Sequence, residues 1–333
     1  MDLRVSVLGA GSWGTTVASL ASRNAPTLLW SRRSEQADEV NANNTNERYL
    51  PGVTLPSDLR ATGSLEEAVR DADVLVVGVP SHGFRGVLEE VKKHVRAWVP
   101  VISLAKGLEE GSHLRMTQLI AEVLPGHKAG VLTGPNLARE IMSGFAAATV
   151  LAMEDDAVGR EIQGVFRSGL FRVYTNRDVI GSELGGAFKN VIAIAAGMGD
   201  GMGVGDNTRA AVITRGLAEL TRLGVAMGGE PATFAGLAGM GDLIATCASR
   251  QSRNRHVGEE LGKGRTIDEI IEEMHMVAEG VKTCRVVTEL AEQVGVEMPI
   301  AREVYGVVHE GRTAAQAYRG LTRRRPGSES EPG

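Results

Sequence analysis

The sequence predicts an α/β protein, with an N-terminal doubly wound domain followed by a C-terminal all-α domain. Three observations carry this. Short, wholly apolar runs alternate with helix-like segments over the first half of the chain. The first run ends in a cluster of glycines. Beyond about residue 180 the strand signals fade, and segments of helix-like periodicity or helix-favouring composition take over. At 333 residues the chain is long enough for roughly two domains with sizeable cores.

Residues 3–8 read as the first strand, and residues 15–22 (TTVASLAS) as a small-residue helix. Residues 27–30 form a second short apolar run, and 65–71 are helix-like with Ser64 as N-cap. Residues 74–79 are apolar throughout, as strands buried on both sheet faces are. Residues 99–104 and 129–132 repeat that pattern, with helix-like segments at 84–96 and 114–123 between them. Such alternation predicts βαβ units and a parallel sheet. Residues 147–152 and 171–174 add two further strands. Helices are expected at 183–196, 207–224, 266–274, 280–294 and 300–310. The glycine-rich stretch 197–206 is read as a connection that cannot hold a stable helix. The expected domains are 1–177 and 178–322, with a polar, disordered tail at 323–333. No internal repeat is present.

Composition narrows the function. Hydrophobic residues are 43% and charged residues 23%, which excludes disorder, collagen and a disulfide-stapled miniprotein. Aromatics at 4% argue against a stacking platform for single-stranded nucleic acid. The 42 glycines suit loops that approach a ligand closely. A net charge of −5 argues against a general binder of nucleic acid or anionic membranes, and the run Arg323-Arg324-Arg325 reads as a solvated terminus. Cys247 and Cys284 form no C-x-x-C, and the seven histidines show no metal-ligand spacing, so a metal-free protein in a reducing compartment is expected. No secretory signal is recognised, and no apolar stretch is read as approaching the ~20 residues of a membrane span. The expected location is the cytoplasm.

Gly9-Ala10-Gly11-Ser12-Trp13-Gly14 is a G-x-G-x-x-G that follows a predicted strand and opens a predicted helix, the context this motif requires. Gly9 permits the tight turn, Gly11 lets the backbone approach a pyrophosphate, and Gly14 allows close helix–strand packing. The helix N-terminus offers free N–H groups and a positive dipole end to phosphates. This is a Rossmann-type dinucleotide site, and Ser12 and Trp13 join its cofactor set. An NAD-preferring site places Asp or Glu about 20 residues past the glycines. Arg32 and Arg33 stand there instead, with Glu35 slightly later, which tilts the cofactor toward NADP(H) without excluding NAD(H).

Six stretches occur in a fixed order: GAGSWG with LW-x-R, SLAKGLE (103–109), TGPNLARE (133–140), ELGGAFKNVIAIAAG (183–197), GLAGMGDLIATC (236–247) and SRNRHVG (252–258). Together the chain from residue 3 to about 322 resembles the bacterial NAD(P)-dependent glycerol-3-phosphate dehydrogenases. Asn136 stands where that family often has Ser or Thr, and Thr16 where it often has Ala.

Lys189 lies in a helix-like segment among Ala187, Phe188, Val191 and Ile192. Burial lowers a lysine's pKa and suits it to acid–base work, while a nearby carboxylate acts in the opposite sense. The resemblance implies that Lys189 gives a proton in carbonyl reduction and takes one in oxidation. It places Asp242 beside Lys189 and the substrate; by position alone, after Gly239-Met240-Gly241, Asp242 reads rather as a helix N-cap. Lys106 follows an apolar strand, where open parallel sheets face their ligand; a cation there can bridge cofactor and substrate, and Lys106 joins Lys189 and Asp242 in the expected catalytic set. Gly134 and Asn136 are implied as substrate contacts. Ala138, Val277 and Glu279 are implied to border the cofactor. Ser252, Arg253 and Asn254 bring a hydroxyl, a guanidinium and an amide together; as bare sequence they read rather as a basic surface loop, and it is the resemblance that implies phosphate recognition. Arg253 is implied to touch the cofactor as well.

The reaction implied is reversible reduction of dihydroxyacetone phosphate to sn-glycerol 3-phosphate with NADPH or NADH, supplying the backbone of phospholipids. The residues alone reach an NAD(P)-dependent oxidoreductase acting on a phosphorylated or acidic substrate. A 3-hydroxyacid or ketopantoate-type reductase, or a non-catalytic NADP(H) sensor, are the other readings. A small-molecule substrate is expected, with no nucleic acid and no membrane span. A homodimer is compatible with all of this.

Overall fold

A computed structural model describes residues 3–274, 278–322 and 328. The expected tail at 323–333 lies outside the described residues, Ser328 excepted. Two compact units divide the chain: Met1–Glu109 with Leu114–Val179, and Glu110–His113 with Ile180–Gly333.

The first unit is built on eight strands: β1 (Val5–Leu8), β2 (Thr27–Trp30), β3 (Arg60–Thr62), β4 (Val74–Val77), β5 (Val101–Ser103), β6 (Ala129–Thr133), β7 (Ala147–Met153) and β8 (Phe171–Asn176). Around them run α1 (Ser12–Ala21), α2 (Ser34–Asn43), α3 (Leu65–Arg70), α4 (Ser81–Val91), α5 (Met116–Val123), α6 (Ala138–Met142) and α7 (Asp156–Phe166). The strand order is β3-β2-β1-β4-β5-β6-β7-β8. Its first six strands are parallel and follow the Rossmann order. Alternate residues leave opposite faces of the sheet. Val5, Val7, Leu29, Val74, Val76 and Ile102 enter one core, and Leu8, Trp30, Leu75, Val77 and Val101 the other. Ser64 caps α3 as the spacing predicts, accepting from the Glu67 amide.

Two expectations need correction here. The sheet is mixed, because β7 runs antiparallel to β6, and β8 parallel to β7. The helix in the β6–β7 connection, α6, has only five residues. An antiparallel neighbour needs no crossover over the face of the sheet, so this connection has no long helix to carry. Helix α2 and strand β3 have no counterpart in the sequence reading. Only Gln36, Ala37 and Val40 of α2 are buried, so its apolar periodicity is faint.

The second unit is helical: α8 (Val179–Met202), α9 (Asp206–Ala226), α10 (Pro231–Phe234), α11 (Asp242–Ala248), α12 (Arg253–Gly262), α13 (Ile267–Glu273), α14 (Glu279–Val294), α15 (Pro299–His309) and α16 (Ala314–Thr322). One π-helical turn, Leu237–Gly241, precedes α11.

Helix α8 overturns the reading of 197–206 as a loop, since it continues through Gly197, Gly199 and Gly201 to Met202. Packing explains this. A Cβ at Gly197 would sit 2.1 Å from the Arg255 carbonyl oxygen, and one at Gly201 2.1 Å from that of Glu259. In return, a Cβ at Gly258 would sit 2.0 Å from the Ile194 oxygen, and one at Gly262 2.4 Å from the Met198 oxygen. Glycines that weaken an isolated helix here let α8 and α12 touch backbone to backbone. Helix α8 is also apolar and long enough to cross a membrane by length and composition, a stretch the sequence reading did not find. In the fold, 94% of its most apolar window is buried in protein.

Gly258→Ala is expected to destabilise the protein by about 1–3 kcal/mol or more, the scale of overpacking. Gly86→Ala, at an exposed α4 position with no atom within 4 Å of the added Cβ, should stabilise it by up to about 1 kcal/mol. Chemical denaturation of both variants measures the contrast; equal effects would remove the packing explanation.

Candidate active site

In the first unit the glycine turn joins β1 to α1. Gly9 has φ +119°, and a Cβ on it would meet the Gly78 carbonyl at 2.9 Å. A Cβ on Gly14 would lie 1.9 Å from the Gly9 oxygen, so the helix presses directly on the turn. Gly11 is the opposite case, with nothing within 4 Å of its Cβ position. It is the N-cap of α1 and supplies no side-chain bond to the first-turn N–H groups. The Ser12 hydroxyl donates to the Tyr49 carbonyl at 2.8 Å. The Trp13 indole nitrogen is buried without a hydrogen-bond partner. An open glycine, an uncapped helix start and an orphaned indole N–H fit a bound dinucleotide pyrophosphate.

The turn is held from behind by two residues the sequence reading missed. Gln36 Nε2 donates to the Ala10 carbonyl at 2.7 Å, and Asn46 Nδ2 donates to the same oxygen at 3.0 Å. The Ser31 hydroxyl donates to Gln36 Oε1 at 2.7 Å, which ties the end of β2 to the glycine turn. Nothing local in sequence marks Gln36 or Asn46, because their partner is a backbone oxygen more than twenty residues away. Arg32, Arg33 and Glu35 are all exposed beyond β2, and Arg33 occupies the N-cap position of α2. Lys106 and Gly134 come together: Lys106 Nζ donates to the Gly134 carbonyl at 2.8 Å. Gly134 has φ +135°. Asn136 follows it, with its amide nitrogen 3.0 Å from the Thr149 hydroxyl. Ala138 opens α6.

In the second unit Lys189 is 5% exposed on α8, and Asp242 is 2% exposed at the start of α11. Their Nζ–Oδ1 distance is 2.5 Å. Lys189 also donates to the Thr246 hydroxyl at 2.5 Å. Thr246 in turn donates to the Asp242 carbonyl at 2.6 Å, which leaves its lone pairs for the ammonium. Asp242 is therefore not the N-cap; Gly241 holds that position. Thr246 was missed, although its i+4 spacing from Asp242 puts both on one helix face. The close approach of the π turn depends on Gly185, where a Cβ would lie 2.7 Å from the Ala238 oxygen.

Ser252 caps α12, accepting from the Arg255 amide at 3.2 Å. Arg253 is exposed at the first position of that helix. Asn254 is buried; its amide donates to Asn190 Oδ1 at 2.9 Å and accepts from the Gly280 N–H at 2.9 Å. Asn190, the residue after Lys189, is a further member of this cluster. Arg255 pairs with Asp200 at 2.6 Å and so belongs to the α8–α12 scaffold. Glu279 opens α14, while Val277 lies outside the described residues. Burial pushes the thiols of Cys247 and Cys284 up to about 12, so both stay neutral and unreactive. Among the described residues, no three His, Cys, Asp or Glu side chains gather where a metal ion could bind.

Comparison with known proteins decides the family. The profile of the NAD-dependent glycerol-3-phosphate dehydrogenase N-terminus matches residues 4–159, and that of its C-terminus matches residues 178–319. The chain belongs to the NAD-dependent glycerol-3-phosphate dehydrogenase family. It is 63% identical to glycerol-3-phosphate dehydrogenase [NAD(P)+] 2 of Sphingopyxis alaskensis over 100% of both chains. The crystal structure of glycerol-3-phosphate dehydrogenase from Coxiella burnetii superposes with a TM-score of 0.92 at 37% identity, covering 97% of this chain and 99% of that one. A ketopantoate reductase from Ralstonia eutropha, at 14% identity and a TM-score of 0.57 over 96% of this chain and 100% of that one, shares the fold alone. This dehydrogenase is thus an NAD(P)-dependent oxidoreductase, and the reductase and sensor alternatives are not favoured.

Thr246→Val keeps the shape of the side chain but removes an acceptor from a buried ammonium. A hydrogen bond to a charged group is worth about 1.5–3 kcal/mol, so kcat should fall about tenfold or more, with Thr246→Ser near the parent. Steady-state kinetics of the two variants checks this; an unchanged kcat in the valine variant would remove Thr246 from the site.

Proposed function

We propose that this dehydrogenase reversibly reduces dihydroxyacetone phosphate to sn-glycerol 3-phosphate with NADPH or NADH, supplying the glycerol phosphate backbone of phospholipids. The observation that carries the reading is the buried Lys189 ammonium held between Asp242 and Thr246. When bound, the nicotinamide supplies or receives the hydride at the central carbon of the substrate. Reduction leaves an alkoxide on the former carbonyl oxygen, and Lys189 Nζ gives it a proton. In oxidation Lys189 takes the hydroxyl proton as the carbonyl forms. Asp242 stabilises the charged lysine and aims it. Removing water from this pair strengthens its field on the carbonyl.

The remaining roles are part of the same proposal. Ser252, Arg253 and Asn254 bind the substrate phosphate, with Arg253 also touching the cofactor. Lys106 serves cofactor and substrate, and Gly134 and Asn136 contact substrate. Gly9, Gly11, Ser12, Trp13 and Gly14 receive the dinucleotide, with Ala138, Val277 and Glu279 at its border. The exposed Arg32 and Arg33 favour the 2′-phosphate of NADPH, while Glu35 keeps NADH usable. We place the enzyme in the cytoplasm, where its two buried thiols stay reduced; a homodimer is compatible with the reading.

Lys189→Ala should lower kcat by about 10²–10⁴, the usual contribution of a positioned general acid, and leave NADPH binding nearly intact. Loss of NADPH absorbance at ~340 nm with dihydroxyacetone phosphate, ketopantoate and small 3-oxo acids tests the substrate in the same cuvettes. A kcat within a few-fold of the parent, or turnover only of the acids, defeats the reading.

Replacing Arg32 and Arg33 together by Ser should weaken NADPH about tenfold or more, the scale of a charged hydrogen bond, and leave NADH nearly unchanged. Fluorescence titration of each cofactor at two salt concentrations measures it. Equal loss of both cofactors would mean the arginines support the loop instead.

A further inference from the structure

Strand β7 lies behind the loop that follows β6, and Thr149 on it is fully buried. Its hydroxyl is 2.8 Å from the Thr133 backbone oxygen and 3.0 Å from the Asn136 side-chain amide. A hydroxyl carries one proton. The Thr133 oxygen can only accept, so that proton goes to it. Toward Asn136, Thr149 Oγ1 can therefore only accept. The Asn136 NH₂ must face it, and the amide cannot flip without setting two acceptors against each other. Asn136 Oδ1 is then left on the far side of the amide. It is buried and meets no hydrogen-bond partner. Buried acceptors are nearly always satisfied, so an orphan here points to a donor brought by a ligand. The surroundings agree. A Cβ on Gly134 would lie 3.2 Å from Thr149 Cα, and the Gly134 carbonyl holds Lys106.

We propose that Thr149 is a positioning residue that fixes Asn136 as an acceptor only, so that the site takes an uncharged hydrogen-bond donor from its ligand and repels an anionic oxygen. This rests on the glycerol phosphate reading, in which the donor is the free hydroxyl of dihydroxyacetone phosphate. The carboxamide NH₂ of the nicotinamide offers the same chemistry, and the experiment separates the two. A carboxylate at that place would meet Asn136 Oδ1 with two like partial charges, so the arrangement selects a hydroxyl-bearing substrate over an acid.

The test uses the full chain and five variants: Thr149→Val, Thr149→Ser, Asn136→Leu, Asn136→Ser and the double variant Thr149→Val with Asn136→Ser. Thr149→Val should raise KM for dihydroxyacetone phosphate about five- to tenfold, the scale of one neutral hydrogen bond, with Thr149→Ser near the parent. Hydroxyacetone phosphate, which lacks the free hydroxyl, should show no such change. If the carboxamide is the donor, the Kd of NADPH moves by that factor instead. Asn136→Leu, which leaves the Thr149–Thr133 bond in place, should give the same loss and stands in if the valine variant does not fold. In the Asn136→Ser background Thr149→Val should add nothing, since a serine hydroxyl rotates freely and needs no partner to orient it. The proposal is overturned if Thr149→Val lowers the melting temperature but leaves KM and Kd within twofold, or if the double variant shows the two losses added. A parent enzyme that binds NADPH but reduces no dihydroxyacetone phosphate overturns the functional reading as well.

Discussion

Backbone contact between α8 and α12 is the constraint on which the second unit depends. Four glycines bring each helix's carbonyls to distances that no Cβ would allow. The Asn190–Asn254 cluster beside Lys189 is hung on that crossing. The Asp200–Arg255 pair closes it at one end, and the Asn190–Asn254 bond lies toward the other. Helix α12 therefore presents Ser252, Arg253 and Asn254 at a fixed height relative to the lysine. One bulky residue at the crossing would shift Lys189 against the residues proposed to hold the phosphate.

Burying a charged pair is expensive, and the fold meets that cost with hydrogen bonds. Lys189 has a carboxylate and a hydroxyl, and the hydroxyl's own proton is committed to a carbonyl. Glu219 shows what burial does without a cation in direct contact. It accepts from the Ile300 and Ala301 amides at the start of α15, yet burial still pushes its pKa up to about 7. That carboxyl serves the helix start. Asp242 instead faces the Lys189 ammonium.

The glycine turn after β1 works by backbone geometry. Gly9 and Gly14 are glycines because the space is filled, and Gly11 because it is open. The turn is not self-supporting: Gln36 and Asn46 share the Ala10 oxygen and anchor it to the chain after β2. The same principle recurs at the end of β6, where Thr149 determines which way Asn136 faces. In both places a residue outside any motif controls one inside it.

Short apolar runs and one glycine signature were enough to state the architecture and an NAD(P)-dependent oxidoreductase from the amino acids, and the six ordered motifs narrowed the reaction through resemblance. Those signals are local: a strand buried on both faces is apolar at every position, and a phosphate turn needs its glycines in consecutive places. The pairing of Lys189 with Asp242 was legible only through resemblance, since 53 residues separate them. Three features were decided by packing instead. The glycines of 197–201 suggest a loop in isolation, but contact with α12 keeps them helical. The direction of β7 lies in its antiparallel pairing with β6, a ladder between separate segments that no local pattern encodes. Thr246, Gln36, Asn46 and Thr149 gain their roles from hydrogen bonds to partners remote in sequence, which leave no periodicity behind.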